Sequence, residues 1–313
     1  MLPVSFNLPA VIYSASNNDK IKNDFTMSID DIRQTAAEFN EKKKNGSFNK
    51  IGFTVTTNPD FLYLVSKMYG VDFCNNGEKT IWNEDKLKEA VKVVYDWVSA
   101  ENNSIRTETD FDFKYLCMPD YRQVISDKTL FTYATSDRVF DILHNQYANI
   151  DYRWIEKDGK IQIEDSAIFL GIYKKTKNQA GCTEFITWFF NEANQDKILE
   201  RKIDLNLDTE QFGFTGGFSS LIKVTEKSMP KYYTQLLSNV PPSQALTAAI
   251  SQFPRWEDYK KSVIDPFFLD SIKEYERLET DKAEEKDTSA ETILKQNITI
   301  EDYEKEWRKK LFD

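Results

Sequence analysis

The residue types that carry most chemistry near neutral pH are scarce in this chain. It has one histidine, His144, between Leu143 and Asn145. With no second imidazole to share a metal or relay a proton, the sequence argues against catalytic triads and zinc sites. Cys74, Cys117 and Cys182 are scattered with no CxxC spacing, which points to buried thiols and away from a metal knuckle or a disulfide framework. The run Gly213-Phe214-Thr215-Gly216-Gly217 is not followed by GK[ST] and does not follow a clear strand, so it is no phosphate loop. No cofactor and no metal are expected. What remains is aromatic side chains beside polar ones. With 22 Phe, 15 Tyr and 6 Trp, not every ring is needed for packing, and some are expected to face a ligand.

Two such pairings stand out by position. Asn58-Pro59-Asp60-Phe61 follows an expected strand at Ile51 to Val55, so its side chains would project from the carboxyl end of that strand, where open α/β sheets bind ligands; the alternative is an ordinary turn. Phe253-Pro254-Arg255-Trp256 lies between helical segments, where proline fixes an entry angle and Trp256 offers a ring face for stacking. The alternative there is a core tryptophan at a helix junction.

The elements that must position these residues alternate in type. Leu2 to Tyr13 is β-branched and aromatic, with Pro3 and Pro9 excluding helix, and reads as a bent strand. Ser28-Ile29-Asp30-Asp31 forms a capping-box-like start for a helix carrying Ile29, Ile32, Ala36 and Phe39 on one face. A shorter helix from Phe61 to Tyr69 stops at Gly70, and Asn83-Glu84-Asp85 opens a four-turn amphipathic helix through Val98. Leu130 to Ala134 reads as a short buried strand, and Asp158-Gly159 as the turn of a hairpin within 149–164. Ile168 to Tyr173 is a second apolar strand, followed by a helix with Cys182, Phe185, Ile186, Phe189 and Phe190 on one stripe. Pro230 to Leu237, Ser243 to Phe253 and Pro266 to Leu278 have helical periodicity, Glu279 to Glu291 reads as an exposed charged stretch, and Thr299-Ile300-Glu301-Asp302 is a second capping box. The alternation predicts an α/β architecture with mostly parallel sheets.

Composition bounds the rest. The 313 residues fit about two domains of roughly 150 residues each. With 40% hydrophobic and 29% charged residues the chain should bury a substantial core. Its 41 basic and 51 acidic residues give a net charge of 41 − 51 = −10, which opposes general binding to nucleic acid or to anionic membranes. No apolar run approaches the roughly 18 to 20 residues a bilayer crossing needs. Met1 is followed by Leu2-Pro3-Val4 and not by a basic and then apolar leader, so a soluble chain without an export signal is expected.

Four segments, in this order, resemble the extracellular solute-binding proteins of family 1, the maltose-binding-protein-like sugar binders of ABC transporters. LPVSFNLPAVIY at 2–13 resembles that family's hinge-crossing strand, and MSIDDIRQTAAEF at 27–39 the helix after it. GVDF at 70–73, running through NGE at 76–78 to WN at 82–83 and the long helix, resembles the family's glycine, turn and helix block. IFLGIYKKTKN at 168–178, with the Phe/Trp-rich helix behind it, resembles the second crossing. The resemblance implies a periplasmic-binding-protein-like two-lobed fold joined by hinge-crossing strands. It puts 8–167 and 222–313 in the second, C-terminal lobe, and 1–7 and 168–221 in a remnant of the first. Family members normally carry an export signal and a further βαβ series in the first lobe, so that lobe is expected to be incomplete, with Phe169, Leu170, Phe185, Phe189 and Phe190 partly uncovered.

By the same resemblance the protein would be the solute-binding component of an ABC importer and not an enzyme. It would bind a sugar or oligosaccharide by cleft closure, work as a monomer outside the cytoplasm (periplasmic or as a membrane-anchored lipoprotein), and deliver its ligand to permease subunits. Sugars suit such a cleft because their C–H faces stack on rings while their hydroxyls need fixed partners. The implied ligand contacts are Phe6 and Asn7 at the hinge, Asn58, Asp60, Phe61, Asp137, Phe214, Phe218 and Trp256. For Asp137 the alternative is a surface pair with Arg138, and for Gly216-Gly217 the choice is between close backbone approach and a flexible loop. Two other classes compete. A carbohydrate-active hydrolase would need two carboxyls about 5 to 9.5 Å apart flanking a cleft, one with a raised pKa. A helical interaction protein would show no thermal shift with any sugar or peptide.

Overall fold

The computed structural model describes residues 1–75, 80–145, 149–207, 211–250, 252–283 and 299–312. The NGE turn at 76–78 and the stretch 284–291 of the charged run lie outside the described residues. The chain divides into two compact units, 1–32 with 134–251 and 33–133 with 252–313. The lobe boundaries read from the sequence, at 7/8, 167/168 and 221/222, are a different division of the chain.

The first unit is organised by two sheets. In one, Leu2–Phe6 is the central strand, with Ile168–Leu170 and Phe218–Ser219 antiparallel on either side. Its register slips between Pro3 and Ser5, where a residue without an N–H interrupts the ladder. The other has the order Thr26–Ser28, Ile150–Glu156, Pro9–Ser14, Thr132–Thr135. Every residue of Pro9–Ser14 is buried, and it pairs antiparallel with Ile150–Glu156 from Ala10 opposite Trp154 to Ser14 opposite Ile150. The chain therefore passes between the two sheets at Asn7-Leu8 and returns between Glu156 and Ile168. The expectation of mostly parallel sheets is corrected. Thr26–Ser28 pairs parallel with Ile150–Glu156, whereas both pairings of Leu2–Phe6 and that of Pro9–Ser14 with Ile150–Glu156 are antiparallel.

Local chemistry explains the best-formed elements. Ser28 Oγ accepts the Asp31 N–H at 3.1 Å while Asp31 Oδ2 accepts the Ser28 N–H at 3.3 Å, the reciprocal capping that opens Ile29–Phe39. Asp158 and Gly159 both have positive φ, +53° and +72°, and close the hairpin between Lys157 and Lys160. The expected helix at Ser243 to Phe253 is replaced by a single 3-10 turn, Ser243–Ala245. The chain there runs as a partner to the segment after the hairpin. The Ile161 N–H bonds Ala245 O at 2.9 Å, and the Thr247 N–H bonds Ile161 O at 3.1 Å, so tertiary pairing overrides helical periodicity.

The second unit is helical around Phe53, Phe61 and Trp97, whose rings meet at 4.7 to 6.0 Å. Its main helices are Pro59–Met68, Glu84–Glu101 and Asp265–Ala283, joined by Ile300–Phe312. Thr299 Oγ1 donates to Asp302 Oδ2 at 2.8 Å where the last begins. The expected strand at Ile51 to Val55 is reduced to one bridge, Ile51 with Thr129. The Gly52 N–H is taken by Asn40 Oδ1 at 2.7 Å, so it cannot join a ladder. Cys74 and Cys117 are exposed and Cys182 is half-buried, which corrects the expectation of buried thiols: Cys74 is on a two-residue strand, Cys117 in the turn between two helices and Cys182 on a helix that buries no residue. Among the described residues no helix is long and apolar enough to cross a membrane.

Candidate ligand-binding site

A cavity of about 490 Å³ opens in the first unit. Asn7, at the first crossing, and Ser166 and Ile168, at the second, contribute to its wall. Asn7 is buried, and its Oδ1 accepts from Ser136 Oγ at 2.5 Å and from the Asp137 N–H at 3.2 Å. Ser136 Oγ in turn accepts the Leu8 N–H at 3.1 Å. The crossing thus caps the helix Ser136–Asn145, and places its first turns on the cavity. From that helix come Asp137, which accepts a hydrogen bond from Thr135 Oγ1, and Arg138, which pairs with Asp141 Oδ2 at 2.5 Å. The expected Asp137–Arg138 pair is therefore not formed. A guanidinium three residues before a carboxylate sits beside it on a helix, whereas neighbours in sequence point apart.

The opposite wall is aromatic and amide. Phe140 stacks on Phe212 with ring centres 4.1 Å apart, and Tyr233 stands edge-on to Phe212 at 4.8 Å. The Tyr233 hydroxyl accepts the Gly213 N–H at 2.9 Å, and Gln211 and Gln235 flank these rings. The loop that supplies Thr215 and Gly216 is tightly folded: Phe214 and Gly217 exchange N–H bonds to each other's carbonyls at 2.9 and 3.0 Å. A Cβ on Gly217 would stand 2.6 Å from the Phe6 carbonyl oxygen, so glycine here permits close backbone approach and the loop is not a slack one. Thr215 Oγ1 meets Ser5 Oγ at 2.6 Å, tying the loop to the crossing strand.

Of the residues the sequence singled out, the structure brings Asn7 and Asp137 to this cavity. Phe6 and Phe218 pack on each other at 5.7 Å, and Phe218 meets Phe212 and Phe140 edge-on at 5.1 and 6.3 Å. Phe214 is buried against Phe189. The remaining four lie in the other unit. Asn58 Oδ1 caps Pro59–Met68 by accepting the Phe61 N–H at 3.0 Å, Asp60 holds Lys260, and Phe61 is core. Trp256 is only 4% exposed, packed between Tyr63, Phe253 and Tyr259. Sequence reasoning missed Phe140, Asp141, Gln211, Phe212, Tyr233 and Gln235. The first two had a signal, since Asp137, Asp141 and His144 recur on one helix face; nothing local joins 211 or 233 to residue 140.

Burial raises three described carboxyls above the ordinary range, Glu108, Asp112 and Asp265, and none of them lines the cavity at the crossings. Burial, set against the nearby Lys260 ammonium, pushes Asp265 up to about 7. Lys260 Nζ lies 3.8 Å from it and also pairs with Asp60. The Lys260 and Asp265 side chains are 5% and 8% exposed, and neither lines a described cavity. A carboxyl sealed beside a buried ammonium cannot flank a scissile bond.

No protein-family model matches the chain, and no curated protein does. Solved structures do match. The Mycobacterium tuberculosis protein UspC is similar over 86% of this chain and 69% of its own, with 10% identity and a TM-score of 0.58. CpMnBP1 with mannobiose bound is similar over 87% of this chain and 66% of its own, with 12% identity and a TM-score of 0.52. The maltose-binding periplasmic protein MalE of Listeria monocytogenes, in complex with maltose, is similar over 92% of this chain and 73% of its own, with 13% identity and a TM-score of 0.51. The chain has a periplasmic-binding-protein-like fold. It spans about two thirds of the length of the mannobiose-bound protein. Within this fold, the cavity between the two crossings of the first unit is the candidate site.

Proposed function

We propose that this protein is a non-enzymatic solute-binding component of an ABC importer, taking up a sugar or oligosaccharide outside the cytoplasm for delivery to permease subunits. The observation that carries the reading is the cavity at the two crossings. Its wall offers amides from Asn7, Gln211 and Gln235, hydroxyls from Ser166, Thr215 and Tyr233, and the Asp137 carboxylate, around the stacked Phe140 and Phe212. Such a wall can satisfy several hydroxyls of one ligand at once while rings exclude water from its C–H faces. Because Asn7 and Ile168 belong to the segments that join two sheets, a change in backbone torsion at the crossings would open or close the site without breaking either sheet. Asn7 and Asp137 are assigned as ligand contacts. Phe6, Phe214 and Phe218 support them from below, and Asn58, Asp60, Phe61 and Trp256 are assigned as structural.

The test is titration calorimetry with a panel of mono- and oligosaccharides, followed by chromatography of the sugar after long incubation. Binding is expected for at least one sugar, at least ten-fold weaker in Gln235→Ala, with the sugar recovered unchanged. Turnover of a glycan would establish the hydrolase reading instead. A flat response to the whole panel would favour an interaction protein.

A further inference from the structure

The cavity at the two crossings carries its charge along one helix. Its charged and imidazole side chains, Asp137, Arg138, Asp141 and His144, all come from Ser136–Asn145. Two carboxylates stand there against one guanidinium. Arg138 is committed to Asp141 at 2.5 Å, and no cation among the described residues is paired with Asp137. Asp137 is half-buried; its N–H is held by Asn7 Oδ1 at 3.2 Å, and Thr135 Oγ1 donates to its Oδ1. Its Oδ2 has no hydrogen-bond partner among the described residues. Two bonds therefore fix the carboxylate at the wall, and one of its oxygens remains for whatever enters. Lys202, behind the aromatic loop, donates to the carbonyls of Gln211 and Gly213 and does not line the cavity. His144 is seven residues along the helix, about 10 Å at 1.5 Å per residue, where salt screens most of any charge it could exert on Asp137.

We propose that the sugar site selects by charge, taking amino sugars in preference to neutral ones and rejecting acidic ones, with Asp137 as the residue that sets this order. The inference rests on the sugar-binding reading above and adds the class of sugar. A protonated amine can donate an N–H to Asp137 Oδ2, and a charge-assisted bond of that kind is roughly twice as strong as one between neutral groups. A sugar hydroxyl can donate to the same oxygen, so neutral sugars still bind. The carboxylate of a uronate adds a negative charge to a wall that already has one in excess. It must either face Asp137 or draw Arg138 away from Asp141, and both cost affinity.

The experiment is titration calorimetry of the full chain at pH 6.5, where a sugar amine is protonated and a uronate ionised. The probes are glucose, glucosamine and glucuronate, their galactose and mannose counterparts, and the β-1,4-linked disaccharides of each. In at least one set the amino sugar is expected to bind on the order of ten-fold tighter than the neutral sugar, and the uronate ten-fold weaker or not at all. Raising NaCl to about 0.5 M should narrow that spread. Asp137→Asn keeps the shape of the side chain and should bring the three within about three-fold of one another. Arg138→Gln, which removes one positive charge from an exposed pair, should widen the spread, and it supplies the test if the Asp137 variant does not fold. His144→Gln should keep the parent's order. A uronate that binds as tightly as the amino sugar, or an unchanged order in folded Asp137→Asn, overturns the proposal and leaves the sugar site standing. If no sugar of any set binds, the sugar site falls and the proposal with it.

Discussion

Two helices of this molecule carry comparable apolar stripes and meet opposite fates. Glu84–Glu101 buries Ala90, Val91, Val94, Trp97 and Val98 against Pro59–Met68 and Asp265–Ala283. Gln179–Phe189 is the more apolar of the two, is equally well capped, with Asn178 Oδ1 accepting the Gly181 N–H at 3.0 Å, and buries no residue. Phe185 and Trp188 are 52% and 48% exposed, and Phe189 and Phe190 are half-buried. The rings of that helix and of Phe190 just after it gather on one another at 5.3 to 6.2 Å, and Phe189 also meets Phe214 edge-on at 6.3 Å. The contrast separates two things that periodicity merges. A cap and a stripe are enough to make a helix, but only a complementary surface takes the stripe out of water.

The sharpest way to break that comparison is truncation at its two centres. Trp97→Ala should cost about 3 to 5 kcal/mol in urea unfolding, because Phe53 and Phe61 lose their shared partner. Next in size is a pH effect in the same unit as the well-packed helix. Asp265 has its folded pKa raised to about 7 from an ordinary 3.8. Its contribution to stability is thus fully present below about pH 4 and lost as pH rises through 7, because ionisation places a second charge in a sealed site. Asp265→Asn should flatten the decline of Tm between pH 4 and 7.5, by at most about 4 kcal/mol; an unchanged slope would mean that Lys260 fully compensates the charge. Asn58→Ala should lose about 1 kcal/mol as a helix cap while leaving sugar affinity unchanged; a ten-fold weaker ligand would return Asn58 to the binding site. Smallest of all, Phe185→Ser and Trp188→Ser should each move stability by about 0.5 kcal/mol or less. A loss above about 1.5 kcal/mol would show that something covers that face in solution.

The candidate site was legible only in part, for the same reason that the two helices differ. Asn7 and Asp137 were found because each sits next to a recognisable element, a crossing strand and a short strand followed by a helix. Phe212, Tyr233 and Gln235 reach Phe140 from about 70 to 95 positions later in the chain, and no periodicity reports a meeting of that kind. The same distance effect misdirected two element readings. Gly52 gives its N–H to Asn40, and Ala245 and Thr247 pair with Ile161, so neither segment keeps the structure its own residues favour.

What the sequence determined by itself was local: the Ser28–Asp31 capping box, the Asn58 cap, the left-handed Gly70 at a helix end and the Asp158-Gly159 turn, each set by hydrogen bonds or torsions within four residues. It also carried, in the order of four such segments, the resemblance that gave the fold. Tertiary structure decided which stripes are dry, which carboxylates have partners and which rings enclose a cavity. Burial and pairing are properties of two surfaces together, and a chain read in one dimension contains only one of them at a time.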